Sequence, residues 1–165
     1  MIACLDVDYR ETVAYAAGIA FHNWSDKTPA TEKVVPVVGV QPYQPGQFFR
    51  RELPCLLAVL RELPPVVVVV VDGYVWLDGV SVAGLGAHLY QALEGKVAVI
   101  GVAKTRFAGA GAAVQQVRGH SNRPLFVTAA GMTAQTAAEH IRSMHGPDRI
   151  PTLLKHVDSL ARRAG

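Results

Sequence analysis

The sequence predicts an α/β fold in which a mixed sheet, antiparallel strands first and parallel strands after them, is flanked by helices. Three observations predict it. Residues 1–7, 13–21 and 33–40 are rich in Val, Ile or aromatic residues, and the links between them are too short for crossover helices, so they read as an antiparallel meander. Residues 66–71 are six consecutive valines, the pattern of a strand covered on both faces. Beyond that run, strand-like and helix-like periodicities alternate, which places helices against the sheet.

Each element follows in turn. The strand at 1–7 begins without a lead-in. A polar turn containing Pro29 separates the second and third strands, and two prolines and a glycine mark a turn at 42–46. From 48 to 63 the apolar residues fall at helical spacing, and Pro64-Pro65 ends that helix. A glycine-rich helix is expected over 80–93, a second buried strand over 97–102, and a short strand over 125–128. Residues 133–144 read as an amphipathic helix. Residues 151–163 form a last helix, with proline at its first turn and Arg162-Arg163 near the negative end of its dipole. No repeat or linker interrupts the chain, so residues 1–165 are expected to form a single domain. This order fits a ribonuclease-H-like arrangement better than a doubly wound sheet.

Composition excludes several classes. Half of the 165 residues are hydrophobic and 18% are charged, and mean hydropathy is +0.23. A disordered tail would lack this much apolar side chain. A net charge of +3 permits a nucleic-acid partner without arguing for one. Cys4 and Cys55 sit in apolar surroundings with no metal-ligand spacing, and Asp6 interrupts the first apolar stretch, so a reducing cytoplasm is expected. The longest apolar run is too short to span a bilayer. Gly84, Gly86, Gly109 and Gly111 fit no nucleotide-binding loop, and residues 108–113 read as a flexible loop.

Aspartate is disfavoured inside strands, so Asp6 in an apolar run needs a reason. By the two-residue period it shares a face with Cys4 and Asp8. Asp72 follows the valine run directly, at the carboxyl end of a strand where sites of α/β sheets gather. Glu52 lies on the helix after the proline-glycine turn. Carboxylates converging on one sheet edge repel each other, and a hard divalent cation, magnesium or manganese, resolves that repulsion. The alternative is that Asp6 and Asp72 serve turns and Glu52 is a solvated helix residue. Lys104, at the exit of the 97–102 strand, is placed either to stabilise charge on a phosphodiester or simply to meet solvent.

With these residues in place, the sequence resembles the endonuclease V family. The match is carried by Asp6-Val7-Asp8-Tyr9, Pro42-Tyr43-Gln44-Pro45-Gly46, Phe49-Arg50-Arg51-Glu52-Leu53-Pro54, Val71-Asp72-Gly73 and Gly101-Val102-Ala103-Lys104-Thr105-Arg106, with a weaker continuation at 122–127. The resemblance implies a metal-dependent endonuclease of ribonuclease-H-like fold that hydrolyses a phosphodiester near a deaminated purine, inosine above all, in DNA or RNA. It implies Asp6, Glu52 and Asp72 as the ligands of Mg2+ or Mn2+ and as catalytic residues, and Lys104 as the catalytic lysine. It places a wedge tyrosine at Tyr43, in a turn with Pro45 and Gly46. It sets the base pocket near Gly73, Gly101, Val102 and Ala103.

The chain also departs from the family. Met132 follows Gly131 where a histidine is usual, and Tyr74-Val75-Trp76-Leu77-Asp78 replaces a His/Asn-Gly continuation and a basic stretch. These losses favour a rival reading, a nucleic-acid-binding module of the same fold with weakened cleavage. His88 fits a family histidine, whereas His120, His140 and His145 read as surface residues. Tyr74 and Trp76 form a stacking surface, a core contact or a contact between copies. Arg106, Arg118 and Arg123 either line a phosphate track or meet solvent.

Overall fold

A computed structural model of the chain describes residues 1–78, 80–109 and 111–165. Residue 110, within the expected flexible loop, lies outside the described residues. The first three strands are β1 (Ile2–Tyr9), β2 (Val13–Phe21) and β3 (Thr31–Val38), followed by α1 (Phe48–Leu60), β4 (Val68–Asp72), α2 (Leu85–Ala92) and β5 (Ala98–Ala103). Then come β6 (Val114–Gln116), β7 (Leu125–Ala130), α3 (Ala134–Ser143) and α4 (Thr152–Arg163). One sheet holds all seven strands in the order β3-β2-β1-β4-β5-β7-β6. This is a ribonuclease-H-like arrangement.

The expected meander forms: β1 pairs antiparallel with β2, and β2 with β3. β4 and β5 then run parallel to β1. The sheet does not stay parallel to its end, because β7 pairs antiparallel with β5 and carries β6 on its outer side. No helix lies among the described residues between β5 and β7, and without a crossover helix a parallel return is closed off.

Alternation along the valine run divides the core in two. Val69 and Val71 pack with Leu5, Cys55, Leu56, Val59 and Leu89 beneath α1 and α2. Val70 faces the other way and packs with Cys4, Ile100, Val127, Ile141 and Val157 beneath α3 and α4. The strand is therefore covered on both faces, as its sequence predicts.

Two expectations are corrected. The helix expected from residue 80 begins only at Leu85. The Asp78 carboxylate accepts the amides of Val80, Ser81 and Val82 at 2.7–2.9 Å, and the chain then pairs back, with Leu77 N donating to Val82 O and Gly84 N to Val75 O. Those amides are spent before a helix can start. Arg118 does not belong to a phosphate track. It is 5% exposed, and its guanidinium donates to the carbonyls of Met144, Gly146 and Asp148, tying down the segment that leads into α4. Beside it, a Cβ on Gly119 (φ +62°) would meet Pro147 O at 2.1 Å, so only glycine fits. Arg106 and Arg123 are exposed.

Candidate active site at the carboxyl edge of the sheet

Asp6 and Asp72 stand at the carboxyl ends of neighbouring parallel strands, β1 and β4. Alternation sends them toward the α4 side, where they line a small recess with Val102, Lys104, Leu154 and Asp158. Glu52 arrives from the opposite face. It sits in the first half of α1, is 6% exposed, and shares a cavity of about 350 Å³ with Asp6, Asp72, Tyr9, Phe48 and Gly73. Two strand ends and α1 thus place all three carboxylates expected from the sequence around one cavity.

Their electrostatics follow from burial. Desolvation pushes the Glu52 carboxyl up to about 8, and the charges of Asp6 and Asp72 add to it while Arg51 opposes it. Desolvation likewise raises Asp6 to about 7. The Asp158 carboxyl, within hydrogen-bonding reach, and the Asp72 charge push the same way, while the Val7 amide pulls it down. The Lys104 ammonium lies 3.6 Å from Asp72 Oδ2. Its strand end is fixed from behind, because Arg149 donates to the carbonyls of Lys104, Arg123 and Pro124.

Hard anionic oxygens with more negative charge than their neighbours neutralise fit a magnesium- or manganese-like cation. The spacing is open: among the described residues no group of three or more His, Cys, Asp or Glu side chains forms a compact metal-holding cluster. Approach from two faces of the sheet accounts for that separation.

Asp158 escaped the sequence reading. It lies on α4, where Arg162 Nε donates to it at 3.0 Å, and it reaches the site only because α4 packs against β1. Its one local signal is spacing: it stands four residues after Leu154 and three before Ala161, beside the buried stripe of the helix.

A second cavity, about 300 Å³, opens beside Asp72. Tyr43, Gly46, Phe48, Phe49, Gly73, Tyr74, Leu77, Gly84 and Phe107 line it. Of the residues expected at the base pocket Gly73 is on its wall, together with Tyr43, expected as the wedge and 57% exposed, and Gly46 of the same turn. Pro45 lies exposed in the same turn as Gly46. Val102 lines the recess below, whereas Ala103 is buried against Tyr74 and Phe126. Gly101 lies behind the chain at residues 73–75. A Cβ there would come within 2.6 Å of Gly73 O and 2.9 Å of Thr128 Oγ1, the atom that accepts the Val75 amide. Glycine at 101 lets the loop after Asp72 cross the strand closely.

Three histidines take structural places, while His120 is exposed as expected. His88 stacks on Phe49 with ring centroids 3.7 Å apart, His140 stacks on Trp24, and His145 Nδ1 pairs with Thr152 Oγ1. Met132 packs against the core under α3 and α4. Tyr74 is 8% exposed, and Trp76 Nε1 donates to Ala129 O. Both serve the protein's own packing rather than an open stacking surface. No helix among the described residues is long and apolar enough to cross a membrane.

Comparison with known proteins adds the following. The endonuclease V family model matches residues 1–148. Endonuclease V from Streptomyces avermitilis is similar at 30% identity, with 98% of this chain and 79% of that one covered and a TM-score of 0.79. The catalytic domain of human endonuclease V gives 20% identity, 98% and 80% coverage and a TM-score of 0.79. Endonuclease V from Ciona intestinalis, solved with a 23mer DNA containing an inosine followed by a ribo-adenosine, gives 18%, 98%, 83% and 0.79. A search of curated proteins found no match.

Proposed function

The chain belongs to the endonuclease V family, and on that footing we propose that it is a divalent-metal-dependent nuclease hydrolysing a phosphodiester near a deaminated purine, inosine, in DNA or RNA. The observation that carries this reading is the shared cavity of Asp6, Glu52 and Asp72, in which the buried Glu52 and the half-buried Asp6 carboxyls are held well above their ordinary range by desolvation and by neighbouring carboxylates. Carboxylates so destabilised by burial are a feature of functional sites.

Asp6, Glu52 and Asp72 would hold Mg2+ or Mn2+, with Asp158 as a further carboxyl beside Asp6. When bound, such an ion activates water and neutralises charge on the phosphate. The Lys104 ammonium, beside Asp72, binds a non-bridging phosphate oxygen and offsets the charge that grows there. Tyr43, on the rim of the 300 Å³ cavity, fills the gap left in the stack when a base turns out of the strand. The aromatic wall of that cavity, with Gly73 in its lining, receives the base. Residues 1–165 act as one domain, since α4 closes on the sheet that β1 begins.

The test is incubation with single-stranded inosine-containing RNA and DNA in Mn2+ or Mg2+, beside Asp72→Ala. Cleavage near inosine by the wild-type protein alone supports the nuclease. Met132, packed against the core where the family usually carries histidine, favours the second reading, a recognition module. Binding without cleavage would decide for that module.

A further inference from the structure

Tyr74 stands where the endonuclease V pattern has His or Asn, and its hydroxyl is fully engaged. It donates to Thr105 O at 2.8 Å and accepts the Phe107 amide at 3.0 Å. Both partners belong to one loop, directly after Lys104, in the irregular stretch between β5 and β6. The tyrosine itself has a rigid footing. Gly73 N donates to Val102 O, Val75 N to Thr128 Oγ1 and Gly86 N to Tyr74 O, and the ring packs on Ala103 and Phe126. On the far side Arg149 holds the Lys104 carbonyl. The loop is thus fastened by Arg149 at its first residue and by Tyr74 at the next and at Phe107.

That loop presents two groups to the site. Lys104 reaches Asp72, and the Phe107 ring, 47% exposed, forms part of the cavity wall with Tyr43 across from the strand ends. We propose that Tyr74 is a positioning residue whose hydroxyl sets the loop carrying both Lys104 and Phe107, so that one hydrogen-bonded strap aligns the phosphate-binding ammonium with the base-binding wall. The assignment of those two roles rests on the nuclease reading above. A rigid aromatic with one polar tip suits this task, because its ring is locked by packing while the hydroxyl takes two main-chain partners. Misplacement of a catalytic group by about 1 Å costs up to roughly a hundredfold in rate.

The test compares Tyr74→Phe with Lys104→Ala and Phe107→Ala in steady-state cleavage of a single-stranded inosine oligonucleotide in Mn2+, together with amide hydrogen exchange. Lys104→Ala should lower kcat with KM nearly unchanged, and Phe107→Ala should raise KM with kcat nearly unchanged. Tyr74→Phe, which keeps the ring, should do both: kcat falls roughly tenfold or more and KM rises several-fold. The Phe107 amide should exchange about tenfold faster. Loss of active protein alone would leave KM where it was, and that result, with unchanged exchange, overturns the proposal. In the wild-type protein the Phe107 amide should exchange far more slowly than that of Ala108, and equal rates also overturn it, even if the variant does not fold. If the wild-type protein cleaves nothing, it is the nuclease reading that fails. The strap is then decided by exchange and by binding of the same oligonucleotide, which Tyr74→Phe should weaken as much as Phe107→Ala does.

Discussion

Arg118 and Glu52 are almost equally buried, at 5% and 6% exposed, yet one is bonded on nearly every side and the other faces more of its own charge. Two guanidinium nitrogens of Arg118 donate to the carbonyls of Met144, Gly146, Asp148 and Arg149. Glu52 has Asp6 and Asp72 across a shared cavity and is pushed up to about 8. A buried charge with good partners holds a fold together, and a buried charge without them is a cost the fold carries. The difference separates a buried charge that fastens main chain from one left to its own repulsion.

The sharpest way to probe the contrast is to remove one charge from each region. Asp72→Ala should abolish cleavage, by roughly a thousandfold or more, while oligonucleotide binding, followed by fluorescence anisotropy, stays within a few-fold. Arg118→Met should do the reverse. It leaves several carbonyls unsatisfied and should cost about 3 kcal/mol in urea unfolding, with turnover per folded molecule unchanged.

Glu52→Gln joins the two regions in one variant. Cleavage should be lost, yet in EDTA the protein should become more stable. The folded carboxyl lies above its unfolded value, so the stability that goes with the protonated form is present below about pH 4.5 and is lost as pH rises through about 8. The gain from glutamine should therefore be largest near pH 9 and shrink toward zero at pH 5. A gain independent of pH would break the comparison. The smallest effect belongs to Asp78, a charge satisfied by three amides at the surface. Asp78→Ala should speed hydrogen exchange at Val80, Ser81 and Val82 and leave the unfolding midpoint almost unmoved.

The same contrast explains what the sequence made legible. The meander, the valine strand and the terminal helix follow from local periodicity; Asp6 stood out by interrupting an apolar run, Asp72 by ending one, and Glu52 by its place on the helix after the proline-glycine turn. Asp158 lies beside the buried stripe of a strongly amphipathic helix, where an acidic residue is ordinary, and meets Asp6 only through the docking of α4, a tertiary event. Arg118 is paired with main-chain carbonyls, which have no sequence signature. The late start of α2 was hidden because the competing partner of its first amides is a side chain, Asp78. The antiparallel entry of β7 depended on a missing helix rather than on any residue of the strand, and β6, three residues long and only partly buried, gives too short a pattern to read.

The docking of α4 also sets an order of events in synthesis. Asp6 is made before the other carboxylates of the site and Asp158 only after every strand of the sheet has been made. A nascent chain halted before residue 152 already carries Asp6, Glu52, Asp72 and Lys104 but lacks the carboxyl that faces Asp6 and the helix that covers the α3/α4 side of β1. Closure of the recess beside Asp6 is thereby tied to the making of α4, so that a chain halted short of that helix lacks one of the recess's carboxyls.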